Sequence, residues 1–264
     1  MHKVALVTGG SSGIGKCTAD ALLRRGCRVY TLSRRVPPQG GKARHICADV
    51  TDEAQVRRAV EQILKEEKRI DILVNCAGFG ISGAVEFTRP EDARRQMDVN
   101  FFGTVQVTGA VLPQMRRQGG GRIVNVSSVA APAAIPFQTF YSASKAAINA
   151  YTCALANEVR PYGVTVTAVQ PGDIRTGFTA ARDKSVEGDE AYGGRISRSV
   201  ATMERDEENG MAPEKVGAYV CRIALKKRVK PLYTVGFVYK CVCLLCKLLP
   251  CGLLNRLIGL IYAK

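Results

Sequence analysis

Tyr141 and Lys145 stand four residues apart in the stretch "FYSASKAA", in a chain with 38 basic residues and only two histidines. On a helix that spacing brings both side chains to one face, where a phenol and an ammonium can meet. A phenol beside a fixed ammonium is expected to be a proton donor whose pKa is tuned downward. Taken alone, the pair favours a blander reading, an amphipathic surface helix with Tyr141 half-buried and Lys145 solvated. His2 and His45 lie outside any nucleophile or metal spacing, which leaves histidine-based hydrolysis and histidine-ligated zinc little support. Acid–base work in this chain falls to tyrosine, lysine or carboxylates.

A second chemical signal precedes the pair. The run "VTGGSSGIG" (7–15) follows an apolar, strand-like segment and opens a helical one. Gly9, Gly13 and Gly15 then fall where the backbone must approach a pyrophosphate at a helix N-terminus. A tight turn would use glycine anyway; the position between strand and helix is what favours a dinucleotide. After the next strand, "TLSRR" offers Ser33 and Arg34 where an acid would bind an unphosphorylated ribose. A guanidinium there pairs with a 2′-phosphate, so NADP is expected over NAD, with Arg35 as a second contact. The blander alternative is that both arginines decorate a strand end.

Positioning these groups requires a regular frame, and the apolar patterning supplies one. Strand-length runs at 3–8, 28–33, 45–48, 71–75, 122–127 and 165–170 alternate with helical stretches near 13–25, 52–68, 91–117, 140–160 and 213–226. Short strands without clean polar alternation, separated by helices, predict an α/β fold with a doubly wound parallel sheet, the Rossmann arrangement. At 264 residues one domain suffices. Residues 1–235 are expected to form the dinucleotide-binding catalytic domain. Within it, the polar segment 173–211 reads as a helical lid. Residues 236–264 read as an apolar, basic C-terminal helical extension, broken at Pro250 and Gly252.

Composition narrows the classes further. An apolar fraction of 46% and a charged fraction of 23% describe an ordinary globular chain. The opening "MHKVALVTGG" leaves no room for a signal peptide, and ten cysteines without a small-scaffold pattern point to a reducing cytosol. Cys241, Cys243, Cys246 and Cys251 sit in apolar surroundings without a second ligand pair, so no metal is expected. The net charge is +15, and from Lys215 to Lys264 there are ten basic residues and no acid. An anionic partner there is open. The run "LKKRVK" (225–230) reads as a solvated helix end rather than a nucleic-acid contact.

Several motifs in order make the chain resemble the single-domain short-chain dehydrogenase/reductases over nearly all of residues 3–235, and in particular members acting on hydroxysteroids and retinol. "TGGSSGIG" (8–15) is similar to that family's cofactor turn, and "ADV" (48–50) to its adenine-contacting segment. "NCAG" (75–78) is similar to its usual NNAG, with Cys76 in place of the second asparagine. "VN" (99–100), "NVSS" (125–128), "YSASK" (141–145) and "PGDIRT" (171–176) complete the set. The resemblance implies cofactor contacts from Thr8, Gly9, Ser11, Ser12, Gly13, Ile14, Gly15, Ser33, Arg34, Arg35, Asp49, Val50, Asn75, Ala77, Gly78, Tyr141, Lys145, Pro171, Gly172, Ile174 and Thr176. It also selects Ser128 over Ser127, because the family's serine stands 13 residues before its tyrosine; alternation in a strand covered on both faces could not separate the two.

The catalytic set so implied is Asn100, Ser128, Tyr141 and Lys145, the asparagine anchoring a water between Lys145 and solvent. Hydride transfer between a nicotinamide and a carbonyl carbon leaves charge growing on oxygen, which needs a proton and nearby donors. Tyr141 would move the proton, Lys145 would support the phenolate and hold the ribose, and Ser128 would bond the substrate oxygen. The expected protein is an NADP(H)-dependent oxidoreductase and a homo-oligomer. Its substrate is expected to be a lipophilic ketone, aldehyde or alcohol such as a steroid, bile acid, retinoid or keto-lipid, given apolar residues such as Phe178, Phe237 and Leu244. The rival reading is a non-catalytic NADP sensor on the same fold; a nucleic-acid binder is a third. The tail is too short and too interrupted by Lys240, Lys247 and Arg256 to span a bilayer. It is expected either to pack on the body or to make a peripheral membrane contact.

Overall fold

Every residue of β1 (Val4–Thr8) is buried, which requires helices on both faces of the sheet. The computed structural model describes residues 2–36 and 42–263, so Lys264 of the basic tail lies outside the described residues. After β1 come α1 (Gly13–Arg24), β2 (Arg28–Ser33), β3 (Arg44–Cys47), α2 (Glu53–Glu67), β4 (Ile72–Asn75) and the short β5 (Ile81–Ser82). α3 (Pro90–Met97), a π-helical turn (Asp98–Phe102) and α4 (Gly103–Arg117) follow without a break. Next are β6 (Gly121–Val126), α5 (Thr139–Glu158), β7 (Val164–Gln170), α6 (Phe178–Ala181), β8 (Asp183–Lys184) and α7 (Arg195–Glu208). The chain closes with α8 (Pro213–Leu225), β9 (Leu232–Thr234), α9 (Phe237–Leu248) and α10 (Cys251–Tyr262).

Seven strands form one sheet in the order β3-β2-β1-β4-β6-β7-β9, all of its pairings parallel. Alternate residues of β1 serve opposite layers. Val4 and Leu6 join Val56 and Ile63 of α2, Val107 and Val111 of α4, and Leu155 of α5. Ala5 and Val7 join Leu22 of α1 with Val216 and Val220 of α8. The six expected strands occur within a residue of their expected bounds, and the seventh, β9, pairs Ala168 with Leu232 at the sheet edge.

The chain leaves β1 in one direction to β3 and returns to β4 on the other side, so a crevice opens beyond the ends of β1 and β4. Such switch points are where this architecture binds ligands. The helix expected over 91–117 is interrupted by the π turn, which turns Asn100 inward until it is buried. Segment 173–211 contains α6, β8 and α7, and β8 pairs with β5. Among the described residues no helix is long and apolar enough to cross a membrane, and all ten cysteines are free thiols.

Under the crevice a buried polar ladder ties sheet to helices. Asn75 Nδ2 donates to Asn125 Oδ1 at 2.9 Å and to Thr108 Oγ1 at 3.0 Å, and Asn125 Nδ2 donates to Thr152 Oγ1 at 2.9 Å. Replacing Asn125 with Ala removes one of Asn75's two partners and takes the Asn125 donor from Thr152, and unpaired buried groups are costly. We expect Asn125→Ala to lower the unfolding free energy by about 2 kcal/mol, read as a lower urea midpoint at unchanged slope.

Candidate active site

The strand β6 ends at Val126, and the next two residues, Ser127 and Ser128, turn beneath α5. Ser127 Oγ donates to the Lys145 carbonyl at 3.1 Å, fixing α5 over the strand end. Lys145 is buried, not solvated; its Nζ donates to the Val126 carbonyl at 2.9 Å and lies 5.6 Å from the centroid of the Tyr141 ring. Ser128 is close enough to the Tyr141 phenol to favour its ionised form, and its Oγ accepts the Ala130 N–H at 3.1 Å. Three of the four residues expected to act together, Ser128, Tyr141 and Lys145, therefore meet at the sheet's C-terminal edge.

Their electrostatics differ from expectation. Tyr141 is not tuned downward: burial pushes its pKa up to about 12, against the lowering effect of the Ser128 hydrogen bond. The physical reason is desolvation, which penalises phenolate more than one hydroxyl relieves, while the ammonium addresses the ring face and a carbonyl rather than the phenol oxygen. Burial also pulls Lys145 down to about 8. Cys76, likewise pushed up to about 12 by burial, is a neutral thiol beside Lys145.

Asn100 acts as a clamp in this arrangement. Its Oδ1 accepts the Phe79 N–H at 3.0 Å, and its Nδ2 donates to the Phe79 carbonyl at 3.0 Å and to Ser144 Oγ at 3.1 Å. The side chain thus joins the loop after β4 to α5. The carbonyl of Asn100 accepts from Thr104 Oγ1 at 3.0 Å, so neither its side-chain amide nor its carbonyl is without a protein partner. Gly78 fits between, since a methyl there would lie 3.0 Å from Asn100 Oδ1 and 3.7 Å from Lys145 Nζ.

The crevice above β1 suits a dinucleotide. Gly9 and Gly13 adopt positive φ of 65° and 52°, and a methyl on Gly15 would collide with the Gly9 carbonyl at 2.2 Å. Only glycine tolerates both demands. The helix α1 starts with no acid in its first turn and with Ser12 making no side-chain cap, so its N-terminus is disposed to an anion. Ser11 and Ile14 lie in the same turn. Thr8 Oγ1 accepts the N–H groups of Cys76 and Ala77 at 3.0 and 3.1 Å, closing β1 onto β4. From the opposite side, Thr176 comes within 3.8 Å of where a methyl on Gly13 would be. The Pro171 carbonyl accepts the Val129 N–H at 2.9 Å, and Ile174 is buried.

At the end of β2 the Arg34 side chain is 72% exposed and 3.9 Å from the Asp49 carboxylate. Ser33 Oγ donates to the Arg35 carbonyl at 2.9 Å, and Arg35 is exposed. Two exposed arginines thus follow β2, with the Asp49 carboxylate beside the first. Asp49 Oδ1 accepts from the Thr51 N–H and hydroxyl at 2.9 and 2.8 Å. Val50 is buried. Asn75 Nδ2 belongs to the ladder below, while its Oδ1 is buried without a hydrogen-bond partner.

Several residues here were not singled out from sequence. Phe178, named above only as apolar, lays its ring 5.7 Å from that of Tyr141 and so roofs the phenol. The Arg182 guanidinium stands 5.7 Å over the Phe178 ring, its side chain 0% exposed, and pairs with Glu207 of α7. Tyr239 of α9 receives the Asp173 N–H at 3.1 Å and donates to Asp173 Oδ2 at 2.7 Å. No local spacing signals these pairs, whose members are distant in the chain.

Comparison with known proteins agrees with this geometry. A short chain dehydrogenase family model matches residues 3–187. A 3-ketodihydrosphingosine reductase of Bacteroides thetaiotaomicron is 45% identical over 243 residues, covering 89% of this chain and 90% of the relative. A short-chain dehydrogenase structure from Streptomyces avermitilis superposes with a TM-score of 0.83 at 31% identity, covering 97% of this chain and 93% of that one. Another, from Burkholderia cenocepacia in complex with NADP, gives a TM-score of 0.78 at 30% identity, with 97% of both chains covered. In motifs, site geometry and fold, the chain belongs to the short-chain dehydrogenase family.

Proposed function

We propose that this oxidoreductase is an NADP(H)-dependent reductase of a lipophilic ketone, with a long-chain 3-keto sphingoid base as the favoured substrate class. The observation that carries the reading is the meeting of Ser128, Tyr141 and Lys145 beside the glycine turn. A protein that only sensed the nucleotide would need the turn and not the acid. The favoured substrate follows the name of the reductase that is 45% identical over 89% of the chain. The choice of NADP is supported by Arg34 and Arg35 at the end of β2 and by a structural neighbour that holds NADP.

When bound, the nicotinamide supplies or accepts the hydride. The chain's own groups manage the oxygen. With its pKa held near about 12, Tyr141 carries its proton at neutral pH, which suits it to protonate an oxygen gaining charge. Reduction is the direction we assign, following the name of the 45% identical reductase. Ser128 donates to the same oxygen, and Lys145 keeps a positive charge beneath the ring. Phe178 covers the phenol and excludes water.

Tyr141→Phe should lower turnover at least ~100-fold while leaving cofactor affinity nearly intact, as loss of a positioned acid does; steady-state rates and a fluorescence titration of NADPH check both halves. Since Lys145 is charged below its lowered pKa of about 8 and neutral above it, kcat/KM for reduction should hold at neutral pH and fall as pH rises through that value. A flat profile between neutrality and pH ~10 would remove Lys145 charge from the mechanism. Replacing Ser33 with Asp together with Arg34 with Leu should move preference from NADPH toward NADH, through loss of the phosphate partner and added repulsion. The ratio of the two kcat/KM values in parent and variant is the measurement.

A further inference from the structure

The two terminal helices each divide into an inner and an outer stripe. In α9 the inner stripe runs through Tyr239, Val242, Cys243 and Cys246, all partly or wholly buried. Opposite it, at helical spacing, Phe237, Leu244 and Leu248 are exposed, at 81%, 55% and 69%. In α10, Leu254, Ile258 and Tyr262 turn inward, while Leu253, Leu257, Leu260 and Ile261 are exposed. Exposed Lys240 and Lys247 border one outer stripe and exposed Arg256 the other. Buried contacts therefore account for only half of each helix.

The inner stripes are pinned by polar contacts that leave little freedom to roll. Tyr239 brackets Asp173 by two hydrogen bonds, 3.1 and 2.7 Å, and its ring fills the space a side chain at Gly172 would take, a methyl there meeting the ring at 2.2 Å. Tyr262 donates to Asp206 of α7 at 3.3 Å, and Arg195 Nε donates to the Ala263 carbonyl at 2.8 Å. The carboxylates that face the tail thus lie on its inner side. The outer side has cations alone, since no acid occurs after Glu214.

We propose that α9 and α10 form a docking platform for an anionic membrane surface, with the outer leucines and Phe237 entering the headgroup region and Lys240, Lys247 and Arg256 meeting lipid phosphates. An apolar stripe edged by cations, on helices of 12 residues each, has the form of an interfacial helix rather than a spanning one. A second copy of the same face would set these cations against their like, whereas an anionic bilayer complements them. Because Tyr239 seats α9 directly on Gly172 and Asp173, a bound membrane lies about one helix diameter, ~10 Å, from that segment. The docking proposal goes beyond the reductase reading and does not depend on it.

The test uses the full chain without substrate or cofactor and sucrose-loaded vesicles, either pure phosphatidylcholine or an equal mixture with phosphatidylglycerol. The protein should sediment with the mixed vesicles, weakly with neutral ones, and lose most of its binding at high salt. Reversing Lys240 and Lys247 to Glu should weaken binding by at least ~25-fold, taking about fivefold for each surface cation lost. Leu244→Gln with Leu248→Gln and Leu257→Gln should abolish it while leaving the circular dichroism melt unchanged, the sites being exposed. Failure to bind mixed vesicles overturns the proposal. So does equal, salt-insensitive binding to both vesicle types. Light scattering that finds a dimer split by the leucine substitutions, without vesicle binding, assigns the face to a second copy instead and likewise overturns it.

Discussion

Lys145 carries an ammonium into the interior at the C-terminal edge of the sheet, where desolvation disfavours charge and the Val126 carbonyl 2.9 Å away holds it in place. The neighbouring groups are arranged around that cation. Gly78 has no side chain because one would press on Asn100 and approach Nζ. Ser127 binds the Lys145 carbonyl and so sets the height of α5 above the strand. Since the folded-state pKa lies below the ordinary 10.5, the buried charge opposes folding at neutral pH, and that opposition is relieved as pH rises from about 8 toward 10.5. The surrounding core must supply the stability that this site withholds.

Part of that support comes from the π turn. A π-helical insertion widens one turn of an otherwise regular helix and is commonly kept where a side chain must point in an unusual direction. Here it buries Asn100, whose amide then binds both polar groups of Phe79 and the hydroxyl of Ser144. One residue thereby ties the loop carrying Gly78 to the helix carrying Tyr141 and Lys145. The asparagine ladder below does the same for the strands, joining β4 and β6 to Thr108 and Thr152.

Segment 173–211 meets the site through a buried ion pair. Arg182 has its side chain out of solvent and pairs with Glu207, whose other oxygen receives the Thr179 hydroxyl. Such a pair adds little net stability against an apolar pair, yet breaking it is costly, so its effect is to permit one arrangement of α6 and α7. That arrangement holds Phe178 between the Arg182 guanidinium and the Tyr141 ring. Tyr239 continues the chain of contacts from Asp173 to α9. The surroundings of Tyr141 are thus shaped by residues distant from it in the sequence.

The order of strands and helices, the glycine turn and the Tyr141–Lys145 pairing were all legible in the sequence, because each is a regularity among residues within one strand, turn or helical repeat. The choice of Ser128 over Ser127 needed the family's spacing, since both serines are buried and alternation does not divide them. The interruption of the helix near Asn100 was invisible, for π geometry leaves the apolar period almost unchanged. So were Arg182–Glu207 and Tyr239–Asp173, whose members lie 25 and 66 residues apart. The direction of the Tyr141 shift was misjudged for the same reason. A neighbour four residues away promised a lowered pKa, but the value is set by how much water the packed sheet, helix α5 and Phe178 exclude. Spacing along the chain determines which groups can meet, while desolvation and the choice of partner arise only when distant segments close over them.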